Sequence, residues 1–161
     1  MASFKFRGTD DYILKLRKLA DQSEATVKKA LYEGAGVVAD EIRDSIRSIP
    51  KNDNTFGTTE NPVVGLNGIQ KAGLMDGLGI SQMETSEGTI NVKISFDGYN
   101  AMKTKKYPKG QPNILIARSI ESGTSFRQKY PFVRKAVNKS RKKAQETMQK
   151  IIDDEASEIM K

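Results

Sequence analysis

Three acids, Asp40, Glu41 and Asp44, crowd one stretch of a helical pattern and could together hold a magnesium ion. Oxygen ligands suit that hard cation, but three carboxylates on a solvated helix face are also ordinary surface charge, and that simpler reading is preferred. A fourth acid, Glu121, stands alone among basic residues, where a salt bridge fits better than catalysis. The chain has no histidine and no cysteine, so imidazole bases, imidazole ligands, thiolate nucleophiles and disulfides are all excluded. No G-x-G-x-x-G or Walker A pattern occurs, and the glycines between 65 and 79 lack the Lys-Ser/Thr that grips phosphate. Nothing in these residues argues for an enzyme, and no cofactor is expected.

Charge is the more informative chemistry. The 161 residues carry a net +7, but Tyr99 to Lys143 holds thirteen Lys or Arg against one acid. That window is +12, so the remainder is −5. A polarised particle follows, basic on one part and mildly acidic elsewhere. Within the window, Lys103, Lys105, Lys106 and Lys109 are interleaved with Tyr99 and Tyr107. Cations beside aromatic rings can grip a nucleic-acid backbone and stack on bases. A solvated loop is the competing reading, since no RNA-binding aromatic motif on a strand accompanies them. A second group follows in Arg134, Lys135, Lys139, Arg141, Lys142 and Lys143.

These groups need a scaffold, and its centre is Glu24 to Ile49. Val27, Leu31, Gly34, Val38, Ile42, Ile46 and Ile49 recur every three or four residues, the period of an amphipathic helix. Gly34 and Gly36 inside it are either tolerated surface glycines or a point of close approach by another element. Before it, Asp10 to Ala20 predicts a helix with Thr9 or Asp10 as cap, broken near Asp21 to Ser23 or fused into one helix from 10 to 48. Phe4 and Phe6 alternate with polar residues as an edge strand or arm, so residues 1–8 are expected to be flexible.

Lys51 to Gly73 predicts a long irregular loop, and Gly73 to Leu78 a tight turn or single helical turn. Residues 79–84 and 89–96 predict an antiparallel hairpin turned at Glu87-Gly88 and covered by the central helix. Residues 97–112 form a second loop. Asn113 to Ser122 is a strand or, preferably, a short helix with Gly123 as its C-cap. Pro131 opens a last helix over about 131–157. Its face is weakest at Ser140. Acids from Asp153 to Glu158 oppose its dipole, so residues 153–161 are expected to fray or to meet a basic neighbour. The fold class is therefore α+β in one domain over 1–161. The start, MASFKFRGTDD, has no apolar signal core, and no apolar run is long enough to span a membrane. Cytoplasmic synthesis is the expectation.

The long helix ending at Pro50, then Lys71-Ala72-Gly73-Leu74-Met75-Asp76, a hairpin, Ile120-Glu121-Ser122-Gly123-Thr124, and Tyr130-Pro131-Phe132-Val133-Arg134-Lys135-Ala136 occur in that order. In that series the chain resembles the small head–tail joining proteins of long-tailed bacteriophages, also called tail-completion or neck connector proteins. It departs from their pattern at Ala72, where a small hydroxyl residue is usual, at Lys135, where proline is common, and at Ile120, where an aromatic is frequent. The resemblance covers most of residues 10 to 145, and its signal is the order and spacing of individually short motifs.

It implies a non-enzymatic virion protein that builds a ring, hexameric in the assembled particle, between the DNA-filled head and the tail. Implied partners are further copies of the chain, head-side connector or portal proteins, and tail-side terminator or tube proteins. DNA passes through such a ring, so weak non-specific contact is expected. A tail terminator and a non-viral nucleic-acid-binding module remain as alternatives. Two expectations follow for the residues. Glu121, Gly123, Thr124, Pro131 and Phe132 form a structural turn rather than an active site. Val63, Val64, Leu66 and Ile69 make 51–73 an assembly loop, mobile in an isolated monomer and ordered only against a neighbour, because fixing each residue costs about 1–2 kcal/mol.

Overall fold

The computed structural model of the chain describes residues 9–53 and 56–161. The expected strand or arm at Phe4 and Phe6 lies outside the described residues, as do the side chains of Thr9 and Asp10. The architecture is α+β, as its period pattern predicts. α1 (Thr9–Ser48) is one 40-residue helix, roughly 60 Å long at about 1.5 Å per residue. Of the two readings at Asp21 to Ser23, the fused helix is the one found and the break does not occur. That stretch has neither glycine nor proline, and the Ser23 hydroxyl donates back to the Ala20 carbonyl at 2.7 Å instead of capping a new helix.

α2 (Gly68–Gly77) follows, then β1 (Leu78–Ile80), β2 (Glu84–Ser86), β3 (Thr89–Asn91), β4 (Ile94–Phe96), α3 (Asn113–Ser122) and α4 (Phe132–Met160). α4 runs antiparallel to α1. Tyr130 Oη bonds the Ser48 carbonyl at 3.3 Å at one end, and Lys15 Nζ reaches the Met160 and Lys161 carbonyls at 3.3 and 3.2 Å at the other. The seam between them is built from small residues. α1 buries Ala30, Gly34, Ala35 and Ala39, and α4 buries Ala136, Ser140 and Ala144. A Cβ added at Gly34 would lie 2.7 Å from Met148 Cγ, so this glycine marks a close approach; Gly36 faces open space. Ser140 is accommodated because its hydroxyl donates to the Ala136 carbonyl at 2.8 Å, which leaves no unpaired group in the seam. α4 stays helical through Met160, and its acids do meet basic neighbours: Lys29 pairs with Glu155 at 2.6 Å, and Lys15 covers the last carbonyls.

The core sits where α1 ends. Ile42, Ile46 and Ile49 pack with Leu66, Leu74, Leu78, Phe96, Ile120 and Phe132. The Phe96 and Phe132 rings are tilted with centroids 5.8 Å apart, a favoured aromatic geometry. The expected hairpin is present but divided. β1 pairs with β4 and β2 with β3, and the register shifts by one residue between the two ladders, because Ser81 to Met83 opposes only Val92 and Lys93. Ser81 holds the junction: its N–H donates to the Lys93 carbonyl at 2.7 Å and its hydroxyl accepts from the Lys93 N–H at 2.9 Å. The turn is Glu87-Gly88, with φ of 49° and 77°, the paired positive values that match strand twist.

The stretch expected to remain irregular through Gly73 contains α2. Asn67 caps it, accepting from the Gln70 N–H at 2.8 Å. Three glycines hide the helix from propensity, and tertiary contact rescues it: Leu74 is fully buried, and Gly73 lies against Asn100. Lys71 Nζ then satisfies the orphan carbonyls of Arg47 and Ile49 at 2.6 and 2.9 Å, closing α1 before Pro50.

Phe132 is 1% exposed at the centre of this core. Phe132→Ala is predicted to lower unfolding free energy by about 3–5 kcal/mol in a denaturant titration. A midpoint that barely moves would remove the ring from the core.

Candidate functional site

Glu121 ends α3, and its carboxylate reaches across to the start of α4. Oε2 accepts the Val133 N–H at 2.9 Å and Oε1 the Arg134 N–H at 3.1 Å. Pro131 precedes the helix and offers no side-chain cap, so Glu121 takes that place from another helix. Gly123 turns the chain with φ of 76°, and the Tyr130 N–H donates to the Ile120 carbonyl at 2.8 Å, closing the connection. Thr124 Oγ1 accepts the Phe126 N–H at 3.2 Å. Glu121, Gly123, Thr124, Pro131 and Phe132 thus form one capped turn. Within the subunit, Glu121 holds backbone N–H groups rather than a salt-bridge partner among the described residues.

The basic window separates into two groups with different neighbours. On α4, Lys139 pairs with Glu41 at 2.6 Å, and that carboxylate raises the Lys139 pKa above the ordinary lysine value. The pair's contribution is therefore present at neutral pH and fades as pH rises through the raised value. Lys143 borders the same cleft as Asp40, Glu41 and Asp44. Lys142 lies 3.8 Å from Glu146, and Arg141 is 3.5 Å from the Asn138 amide oxygen. Lys135 sits 5.4 Å over the Tyr130 ring. Arg134 is exposed beside the Glu121 cap.

The acids are engaged in turn: Asp40 with Arg43 at 2.8 Å and Asp44 with Arg47 at 2.5 Å. Among the described residues no three acids gather as a metal site.

The loop from 97 to 112 is different. Its lysines 103, 105, 106 and 109 are exposed, and none has a carboxylate partner among the described residues. Tyr99 is also exposed, and Lys106 lies 5.6 Å over the Tyr107 ring. The loop beneath them is well tied. Asn100 is buried, accepts the Met102 N–H at 2.9 Å and donates its own N–H to the Gln111 carbonyl at 2.9 Å. The amide of Asn113 donates to the Asp97 carbonyl at 2.8 Å. Four exposed lysines therefore stand on a built platform.

The residues of the expected assembly loop divide by burial. Val63 and Leu66 are buried in the subunit's own core, while Val64 and Ile69 are exposed. The segment is pinned: Asn52 N–H to the Leu66 carbonyl at 2.8 Å, Leu66 N–H to Pro50 at 3.0 Å, and Val63 exchanging bonds with Phe126 and Gln128 at 2.9 Å each. The missed element is Arg127, which is buried and bonded to the Gly65 carbonyl and to Gln70 Oε1. Its sequence neighbourhood carries no local signal of burial, because its partners are some sixty residues away.

The neighbouring groups give two expectations. Glu121→Ala is predicted to cost about 1–2 kcal/mol by loss of the cap, measured by thermal or denaturant unfolding. In hydrogen exchange on the isolated chain, the Val63 and Leu66 amides are predicted to be protected; rapid exchange at both would restore a loop ordered only by a partner. Comparisons of the chain with protein-family models, with curated proteins and with solved structures each return no match.

Proposed function

We propose that this protein is a structural component of a bacteriophage neck, a head–tail joining protein that forms a ring through which DNA passes. The supporting observation is that the motifs carrying the resemblance act together. Glu121, Gly123 and Pro131-Phe132 are the cap, the turn and the core plug of a single connection between α3 and α4. A second support is the set of four exposed lysines on the 97–112 loop, without carboxylate partners among the described residues and suited to backbone charge rather than base sequence. In a ring, many copies would add these charges around a channel. The function is non-enzymatic, and the ring is six-fold in the virion.

Removal of the gene from the phage that encodes it is the test, read by electron microscopy. DNA-filled heads and finished tails that fail to join support the reading. Tails of uneven length point instead to a tail terminator, and normally joined particles overturn a neck role.

The two basic groups should also separate in a DNA-binding titration against salt. Neutralising Lys103, Lys105, Lys106 and Lys109 together is predicted to reduce the slope of log K on log salt by about 3–4, at about 0.9 per phosphate contact. Neutralising Lys139, Arg141, Lys142 and Lys143 together, with Lys139 paired to Glu41 and Lys142 3.8 Å from Glu146, should change it by less than half as much. Equal effects would mean that the loop has no special part in DNA contact.

A further inference from the structure

Arg127 is a buried cation with no carboxylate partner among the described residues. It is 9% exposed, and its two side-chain bonds go to neutral acceptors, the Gly65 carbonyl and Gln70 Oε1, the latter at 3.3 Å. Among the described residues no carboxylate lies within ion-pair distance. Burial pushes its pKa down, as expected for a charge moved from water without compensation. A guanidinium has five N–H groups, and the two bonds shown use one on each terminal nitrogen. Arg127 lines a cavity of about 410 Å³ together with Gln70, Gln111 and Thr124.

The mouth of that cavity is the second observation. Phe56 and Phe126 line it and are 76% and 57% exposed, whereas Phe96 and Phe132 are buried. Two exposed phenyl rings beside a desolvated arginine have the composition of a protein-binding hot spot.

We propose that this cavity is a docking site for an acidic side chain on a partner polypeptide, the carboxylate meeting Arg127 and flanking apolar residues covering Phe56 and Phe126. A polypeptide is favoured over nucleic acid because no lysine lines the cavity. A lone carboxylate on a flexible stem can enter a concave site that a continuous phosphate backbone, with charges on every unit, cannot follow. The site stands apart from the neck reading, which can fail and leave it intact.

The test is an NMR titration of the isotope-labelled full chain with four probes: acetyl-Leu-Glu-Leu-amide, its Gln counterpart, sodium acetate and a ten-nucleotide oligothymidylate. The glutamate peptide should shift the signals of Phe56, Phe126 and the Arg127 Nε–H, and bind at least tenfold more tightly than the glutamine peptide. Phe126→Ser, an exposed change, should weaken it at least fivefold without altering the melting temperature, and this variant keeps the test valid if Arg127→Gln unfolds. Equal affinity for the two peptides, absence of binding, or acetate binding as tightly as the peptide would overturn the proposal. Displacement of the peptide by the oligonucleotide at these residues would overturn it in favour of a nucleic-acid site.

Discussion

Two long helices lie side by side because the residues between them are small. Alanine, glycine and serine are buried along the α1–α4 seam, and the Met148 side chain fills the space that a Cβ on Gly34 would take. Close approach converts a thin stripe into continuous dispersion contact, although each small side chain buries little apolar area alone. Everything else hangs from the end of this seam. Ile42, Ile46 and Ile49 stand over Leu74, Leu78 and Phe96, and Phe132 enters the same cluster as the first residue of α4. The Glu121 carboxylate then fixes where α4 begins relative to α3. The interhelix ion pairs at Lys29 and Lys139 add register more than energy, since both lysines are exposed.

The extent to which this was legible depended on how local each cause is. α1, α3 and α4 have apolar residues at the helical period, and Glu87-Gly88 is a turn signal that works within four residues. α2 was not legible, because Gly73 and Gly77 are justified by Asp97, Asn100 and Asn113 packed against them from far along the chain. The fused α1 shows the converse: polar residues at 21 to 23 look like a boundary but contain nothing that breaks a helix. Glu121 was identifiable as unusual by its basic surroundings, yet its bonds run to backbone, which residue identity does not encode. Val63 and Leu66 looked like residues awaiting a partner because their cover, the 124–128 turn and the core, lies far along the chain.

Charge follows the same division. Summed along the sequence, the basic window is a single block. Folded, the α4 portion lies beside the acids of α1 and is partly neutralised at home, whereas the loop lysines are held out on a hydrogen-bonded platform. A total charge therefore overstates what a partner would feel, and the loop is the part left to act at a distance. Buried Arg127 lies outside both groups, in a cavity whose rim is aromatic rather than basic.

The central functional claim is that this chain forms a ring between head and tail. Cryo-electron microscopy of intact particles, with the chain traced in the neck density, tests it most directly. A closed ring of identical copies is expected, in which the α1–α4 pair keeps the packing described above and the loop 97–112 faces the channel. Absence of the chain from the particle, or its density found in the tail tube or the head shell, would contradict it.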